Sequence, residues 1–254
     1  MNVEKPDSST DPNFVNAQPP ERESTTPYEL GVHSTFVTIQ GEGPCTGQKA
    51  LFIRLAGCNL QCPKCDTDYT SHREFWTDEA FVHNTIVKHP DVDLYVITGG
   101  EPLRQTAALI NCIERLDSYL IKERRAIRIQ IETNGVYSPF LDNFCNVDVI
   151  YVVSPKTSHI THDDTELFDF WKYVMSADGV CGIDGLPTRV LGQCIRPHRP
   201  TEWIMESNRR RVFLQPEDSK DPETNRRNME ACVQSCMKYG YTLCLQIQKI
   251  VGLP

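Results

Sequence analysis

The sequence predicts an α/β fold in which parallel strands alternate with helices. Short apolar runs of the buried-strand type alternate with stretches whose apolar residues recur at helical spacing. The predicted strands also end in polar, often glycine-containing sequences, and in a parallel barrel or open sheet that edge is where ligands bind. We expect a single folded domain, because roughly 225 residues are a usual size for one α/β domain.

From residue 33 onward, the predicted elements carry recognisable signals. Leu109, Ile113 and Leu116 fall on one face of a helix, which predicts the helix 106–122. The apolar run 94–98 ends at a glycine pair, which is typical of a buried strand. The predicted strands are 35–39, 50–55, 94–98, 127–132, 147–153, 211–214 and 242–246, and the predicted helices are 106–122 and 222–239.

Residues 1–28 are predicted to form a disordered tail that precedes a core domain of residues 29–254. The tail holds five prolines and many Ser, Thr, Asn and charged residues, with only scattered apolar ones. Such a segment buries too little surface to offset the entropy of ordering it. No function is assigned to it.

Net charge and hydropathy exclude several classes of partner. The formal net charge of −8 disfavours broad electrostatic attraction to nucleic acid or to an anionic membrane. No apolar run approaches the ~20 residues that a membrane helix needs, and the N-terminus lacks the pattern of a signal peptide. We therefore expect a cytoplasmic protein with neither nucleic acid nor membrane as a direct partner.

Three of the eleven cysteines, Cys58, Cys62 and Cys65, lie within eight residues directly after a predicted strand. Soft thiolates at this Cys-x3-Cys-x2-Cys spacing select iron–sulfur, zinc or copper(I). A closed structural zinc site needs four ligands, whereas a [4Fe–4S] cubane on three thiolates keeps one iron open for substrate chemistry. The spacing favours the cluster, and a zinc knuckle completed by Cys45 or His72 is the alternative.

The remaining cysteines have two interpretations. Cys181, Cys194, Cys232 and Cys236 could together hold a second cluster, although buried cysteine more often behaves as a small hydrophobe. Cys112, Cys145 and Cys244 lie in apolar patterns and are predicted to be core residues.

A second motif, Gly99-Gly100-Glu101-Pro102, ends the predicted strand 94–98 downstream of the cysteine loop. Glycines at that position allow close approach of the backbone. Together, the two motifs resemble those of the radical S-adenosylmethionine superfamily. In that superfamily the open iron binds S-adenosylmethionine, and the reduced cluster cleaves it to a 5′-deoxyadenosyl radical.

The flanking segments narrow the resemblance to the 7-carboxy-7-deazaguanine synthase family, over residues 33–254. This resemblance implies a shortened (partial) parallel βα barrel, a homodimer, bound Mg²⁺ and a flavodoxin-type reductant. The implied reaction converts 6-carboxy-5,6,7,8-tetrahydropterin to 7-carboxy-7-deazaguanine with loss of ammonia, in queuosine-type biosynthesis. The segments that carry the resemblance are 36–43, 52–60, 65–69, 97–102, 132–135, 154–156, 214–216 and 245–254.

The resemblance also implies site residues, and no side chain is predicted to be catalytic beyond the radical that the cluster generates. Glu42 can accept the paired N–H donors of a pterin ring edge, and Arg54 can bind a carboxylate through its planar fork. Thr67 would give an oxygen ligand to Mg²⁺. The implied substrate site contains Ile39, Gln40, Gly41, Glu42, Arg54, Thr98 and Pro254, and the implied S-adenosylmethionine site contains Asp66, Gly100, Glu101, Ser154, Pro155, Lys156 and Gln215.

One position departs from the family, and two other functions remain open. Gln248 stands where family members often have histidine, although glutamine keeps donor and acceptor capacity. An activase of glycyl-radical enzymes would share the cysteine loop and Gly-Gly-Glu-Pro, but it would not need segment 40–43, Arg54 and Thr67 in this order. The non-enzymatic alternative is a zinc-binding interaction module.

Overall fold

A computed structural model describes residues 15–24, 26–140, 143–161 and 165–253, and these are organised around a sheet of nine strands. The strands are β1 (Leu30–Ile39), β2 (Lys49–Leu55), β3 (Glu74–Trp76), β4 (Leu94–Gly99), β5 (Ile127–Thr133), β6 (Val147–Val153), β7 (Phe170–Met175), β8 (Val212–Pro216) and β9 (Thr242–Leu243). The helices are α1 (Asp78–Val82), α2 (Thr106–Glu123), α3 (Glu202–Ser207), α4 (Pro222–Tyr239) and α5 (Ile247–Ile250).

Along the sheet the strands follow the order β3-β1-β2-β4-β5-β6-β7-β8-β9. From β2 to β9, neighbouring strands run parallel, whereas β1 is antiparallel to both β2 and β3. The carboxyl ends of the parallel strands therefore meet along one edge, where Leu55 pairs with Gly99 and Thr133 pairs with Val153. The predicted α/β class with a parallel sheet is confirmed.

The apolar face predicted for helix 106–122 packs against the sheet and forms part of the core. Four residues of α2 (Leu109, Ile113, Leu116 and Leu120) are fully buried in the same core as β4 and β5. Full burial stabilises each such side chain by ~1.5–3 kcal/mol. At the end of α2, Arg124 takes a left-handed conformation with φ of 52° and closes the helix. Among the described residues, no helix is long and apolar enough to cross a bilayer.

Several elements differ from the sequence prediction. The pattern does not predict β3, α1, β7, α3 or α5, which have three to six residues each. In β7 the apolar run is interrupted by Lys172, which is buried all the same. The last strand ends at Leu243 rather than at residue 246, because the chain turns so that Ile247 N–H can donate to the Gly41 carbonyl at 3.3 Å. Cys145, predicted to be buried, is exposed.

The predicted disordered tail is partly ordered in the structure. Residues 15–24 form no regular secondary structure, and Asn16 is only 4% exposed. Composition predicts poorly here because this segment is held by hydrogen bonds to the core backbone rather than by apolar burial. Residues 1–14 and 25 lie outside the described residues.

Candidate active site

The cysteine loop leaves β2 at the carboxyl edge of the sheet. Gly57 begins it with φ of 82°, a conformation that glycine adopts without strain. Cys58 and Cys62 are 9% and 7% exposed, and Cys65 is half-buried. The Cys65 N–H donates to the Cys62 carbonyl at 3.1 Å, which folds the loop back on itself. All three thiols are free of disulfides.

These thiols fit a [4Fe–4S] cluster by the chemistry of the donor set, three soft ligands on one short loop. Burial raises the pKa of the Cys58 thiol to about 12 and that of Cys65 to about 11, and the nearby thiols add to the effect. Coordination to iron would deprotonate them. Within the described parts of the chain, no three His, Cys, Asp or Glu side chains are arranged to hold a metal ion, so the fit rests on the number and type of ligands.

The glycine pair after β4 packs directly against this loop. Gly99 has φ of 114°, and a Cβ there would overlap the backbone of Leu55. A Cβ on Gly100 would overlap the carbonyl of Gly57. The Glu101 N–H donates to that same carbonyl at 3.0 Å. The two glycines therefore allow the cysteine loop and the β4 end to lie in backbone contact.

Glu101, predicted to bind S-adenosylmethionine, lies between the ends of β4 and β5. Its side chain is fully buried, and its carboxylate accepts hydrogen bonds from Leu103 N–H at 2.9 Å, Thr133 Oγ1 at 2.7 Å and Asn134 N–H at 2.8 Å. Burial raises the pKa of this carboxyl group despite those donors. Glu101 therefore joins the ends of β4 and β5, and its contact with S-adenosylmethionine stays a prediction.

The predicted nucleotide residues on the later strands lie at the ends of β6 and β8. Lys156 is buried, and its Nζ donates to the Ser154 carbonyl at 2.9 Å and to Ser154 Oγ. Burial lowers the pKa of Lys156, and the nearby Cys62 opposes that shift. Among the described residues, no carboxylate forms an ion pair with Lys156. Pro155 lies between the two residues, and Gln215 on β8 is 6% exposed.

Asp66 and Thr67 follow the third cysteine at the outer end of the loop. Thr67 Oγ1 donates to Asp66 Oδ1 at 3.4 Å, and Asp66 is exposed. The backbone carbonyl of Thr67 accepts a hydrogen bond from Gln18 at 2.9 Å. The Thr67 carbonyl therefore already accepts a hydrogen bond within the protein. The Asp66 carboxylate and the Thr67 hydroxyl lie beside each other.

Glu42 is the centre of a second cluster of polar side chains at the same edge. Its Oε2 accepts from Lys172 Nζ at 2.8 Å, and its Oε1 accepts from Gln246 at 2.9 Å and from Gln248 at 3.2 Å. Burial favours the neutral acid, but Lys172 and the two amides lower the pKa of Glu42 to about 2. Gln40 Oε1 accepts the Glu42 N–H at 3.0 Å and orients its backbone.

Lys172 also contacts a second carboxylate. Its Nζ lies 2.5 Å from Glu132 Oε2, and Gln130 Nε2 donates to Glu132 Oε1 at 2.6 Å. Burial alone would lower the pKa of Lys172, but Glu132 and Glu42 raise it well above its usual value. The result is a buried lysine between two carboxylates. Lys172, Glu132 and Gln246 were not predicted as site residues, because Lys172 is a lone charge in a short strand and no motif gave the other two a role.

Arg54 lies on β2 beside Thr98 of β4, its partner in the sheet register. Its guanidinium carbon stands 5.2 Å from the centre of the Phe36 ring. The Arg54 Nε is buried and has no hydrogen-bond partner among the described residues. A buried guanidinium nitrogen without a partner is costly, so this side chain fits an anionic ligand.

The last substrate residues lie where β1 ends and where the chain returns to it. Ile39 ends β1, and Gly41 follows with the Gln248 side chain packed directly on it, so that any Cβ at Gly41 would overlap that amide. Gln248 Oε1 is buried without a partner among the described residues. Pro254, also predicted to contact substrate, lies outside the described residues.

Comparison with known proteins places this site in a family. Residues 39–133 match the family described as a 4Fe-4S single cluster domain. The 7-carboxy-7-deazaguanine synthase of Rhodospirillum rubrum is 34% identical over 244 residues, which cover 88% of this chain and 92% of the relative. The synthase of Rickettsia prowazekii is 32% identical over 235 residues, covering 89% of each chain. The chain belongs to the 7-carboxy-7-deazaguanine synthase family.

A solved structure is similar in fold. The crystal structure of QueE from Escherichia coli covers 85% of this chain and 93% of its own, with a TM-score of 0.56 and 21% identity. The resemblance to the 7-carboxy-7-deazaguanine synthase family is thus confirmed, together with its [4Fe–4S] cluster and S-adenosylmethionine as cofactors. The match to a 4Fe-4S family sets aside the zinc module, and the family match sets aside the glycyl-radical activase.

Proposed function

We propose that this chain converts 6-carboxy-5,6,7,8-tetrahydropterin to 7-carboxy-7-deazaguanine with release of ammonia. Two observations together carry the proposal: a half-buried Glu42 whose pKa is lowered to about 2, and a partly unpartnered Arg54. A pterin offers paired N–H donors at one end and, here, a carboxylate at the other. Substrate and product differ by one ammonia, so the conversion needs no net oxidant.

Glu42 would bind the donor edge of the pterin ring. A carboxylate has about four acceptor sites, of which Lys172, Gln246 and Gln248 occupy three. The second pterin N–H would therefore replace one of the two amides, while Lys172 keeps the group charged. Gln246 and Gln248 hold its Oε1 from the other side. Such charge-assisted bonds contribute ~1.5–3 kcal/mol each. The three neighbours thus orient Glu42 before substrate arrives.

Arg54 would bind the substrate carboxylate. Its planar fork forms two parallel bonds to such a group, and the buried Nε supplies a donor that the described protein leaves without a partner. Thr98 lies beside Arg54 in the sheet, and Ile39, Gln40 and Gly41 would line the substrate site on the Glu42 side. Pro254 stays a prediction.

The cofactors would occupy the other half of the edge, with Cys58, Cys62 and Cys65 as the cluster ligands. When bound, the reduced cluster supplies the electron that converts S-adenosylmethionine to the 5′-deoxyadenosyl radical. Lys156, Ser154, Pro155 and Gln215 would contact the nucleotide, together with Gly100 and Asp66. Lys156 would offer its charge to an anionic group of that ligand, since it forms no ion pair with any described carboxylate.

Mg²⁺ and the protein partners complete the proposal. Thr67 offers an oxygen ligand of the type that Mg²⁺ prefers, and the ion would meet the substrate carboxylate. A homodimer, a flavodoxin-type reductant and a cytoplasmic location follow from the resemblance to the family. The net charge of −8 gives no reason to expect direct binding of nucleic acid.

The test is turnover after anaerobic reconstitution with iron and sulfide. The protein is incubated with the carboxylated tetrahydropterin, S-adenosylmethionine, Mg²⁺ and a reductant, and the deazaguanine is followed by its ultraviolet absorbance and mass. We expect more product than S-adenosylmethionine consumed. Release of 5′-deoxyadenosine without the deazaguanine would overturn the proposed substrate while leaving the radical chemistry in place.

A further inference from the structure

Residues 16–24 form an N-terminal strap that lies along the cysteine loop. Its backbone bonds begin at Asn16, whose N–H donates to the Pro63 carbonyl at 2.7 Å. The Glu21 N–H donates to the Cys58 carbonyl at 2.7 Å. The strap is therefore bonded to the loop both at the first cluster cysteine and just after the second.

Two side chains of the strap add bonds to the same loop. Asn16 is 4% exposed, and its Nδ2 donates to the Cys62 carbonyl at 3.2 Å and to the Tyr69 hydroxyl at 3.3 Å. Gln18 Nε2 donates to the Thr67 carbonyl at 2.9 Å, and its Oε1 accepts the Tyr69 N–H at 2.8 Å. The Asn16 Oδ1 accepts the Gln18 N–H at 3.0 Å, so the two side chains support each other.

The far end of the strap is held by charge. Glu21 lies 2.6 Å from Arg73 and 3.3 Å from Arg104, whose side chain is 6% exposed. Arg104 in turn donates to the carbonyls of Ala56 at 3.0 Å and Arg22 at 2.7 Å. A Cβ on Gly57 would lie 2.6 Å from both Glu21 and Arg104, so this ion pair packs against the first residue of the loop.

The cysteine loop contains almost no regular secondary structure, so its carbonyls need other partners. The strap supplies them at Cys58, Cys62 and Thr67. We propose that Asn16, Gln18 and Glu21 are positioning residues that hold the cysteine loop in the conformation that accepts and retains the cluster. The proposal rests on the cluster alone and is independent of the pterin reaction.

The test compares single substitutions that preserve shape. Asn16→Asp keeps the acceptor for Gln18 but loses the bonds donated to Cys62 and Tyr69. Glu21→Gln removes the charge beside Arg104, while Glu21→Asp retains it. Glu23→Gln is the matched control, since Glu23 is an exposed glutamate of the same strap.

Hydrogen exchange of residues 57–70 is measured on iron-free protein, and anaerobic iron release to a chelator is measured on the reconstituted protein. We expect Asn16→Asp and Glu21→Gln to accelerate both by about tenfold, since the first loses two neutral hydrogen bonds and the second loses charge-assisted ones. The electron paramagnetic resonance spectrum of the reduced cluster should change as well. Glu21→Asp should recover iron retention, and Glu23→Gln should match wild type.

Wild-type exchange, iron release and spectra in both Asn16→Asp and Glu21→Gln would overturn the proposal. Equally fast exchange and iron release in Glu23→Gln would also overturn it, because they would show that any change of charge in the strap accelerates both. Circular dichroism verifies that each variant is folded. None of the three readouts uses the pterin, so failure of the proposed reaction would leave this test intact.

Discussion

At the scale of single residues, Glu42 has the most constrained chemistry in the site. Four groups approach its carboxylate and backbone, and its pKa is held at about 2. The resemblance to the family and the chemistry of the two side chains predict Glu42 and Arg54 as ligand residues, and that role stays a prediction. They could not reveal Lys172, because its significance comes from burial between two distant carboxylates, which only the folded sheet brings together.

Replacing Glu42 by Gln should impair substrate binding selectively. The amide keeps the size of the side chain but offers one acceptor and no charge to the pterin N–H pair. Loss of charge-assisted bonds of ~1.5–3 kcal/mol predicts a fall of about 10- to 100-fold in kcat/KM. Steady-state kinetics against the pterin measures it, with the exposed Glu123→Gln as control. An unchanged KM for the pterin would contradict the role.

Lys172→Met should change the pH dependence of stability. In the wild type the depressed pKa of Glu42 means that its stabilisation is present above the unfolded pKa and is lost only as the pH falls through about 2. Without Lys172, burial raises the folded pKa of Glu42 above the unfolded value. The variant should therefore lose ~3–5 kcal/mol near neutral pH and regain part of it as the pH falls from 8 to 5.

Urea unfolding at pH 8 and pH 5 measures this difference. Lys122→Met, an exposed lysine near the end of α2, is the matched control and should follow the wild type at both values. Equal destabilisation of Lys172→Met at the two pH values would contradict the prediction, because it would show that loss of Lys172 does not raise the pKa of the carboxylates.

At the scale of elements, strands with unbroken apolar runs were predictable and marginal ones were not. β4 is continuously buried over Leu94–Ile97, and the glycine pair that follows predicts the end of the strand. β7 and β3 form because neighbouring strands pair with them, a tertiary contribution that no local pattern encodes. The sequence predicts that the glycine pair allows close approach of the backbone. It does not show that the approaching backbone is that of Gly57.

Gly100→Ala should therefore disturb the cysteine loop. The added Cβ would overlap the Gly57 carbonyl and approach Cys58 N to 2.9 Å, and these backbone atoms can move only if the loop moves. Overpacking of this kind costs ~1–3 kcal/mol. We expect a lower melting temperature and a lower iron content after reconstitution. Gly182→Ala, where a Cβ meets nothing within 4 Å, is the control and should change neither.

At the scale of the whole molecule, distant parts of the chain converge on the two halves of the site. The strap bonds to the cysteine loop, and residues 244–253 return to the loop after β1. Composition predicts disorder for the strap because the strap is poor in apolar residues. It cannot show that the strap is held by hydrogen bonds to backbone carbonyls of the core. The pattern also extended the last strand to residue 246, since it cannot show that Gln246 and Gln248 turn toward Glu42.

This convergence predicts a selective effect of the double substitution Gln246→Ala and Gln248→Ala. It removes both amide donors to Glu42 Oε1, while Lys172 still holds Oε2 and keeps the carboxylate charged. Glu42 should then be ionised but less well oriented, which weakens pterin binding and leaves the cysteine loop untouched. We expect the KM for the pterin to rise by about tenfold or more, the effect of ~1.4 kcal/mol of lost binding.

The measurement separates binding of the pterin from cleavage of the nucleotide. Deazaguanine formation is followed over a range of pterin concentrations, and 5′-deoxyadenosine released in the absence of pterin is quantified in parallel. In the double variant, half-maximal deazaguanine formation should need a higher pterin concentration, whereas 5′-deoxyadenosine release should match wild type. Gln234→Ala, an exposed glutamine on α4, controls for the loss of an amide. If 5′-deoxyadenosine release fell together with deazaguanine formation, the returning segment would act on the cluster half of the edge, and the division of the site into two halves would be wrong.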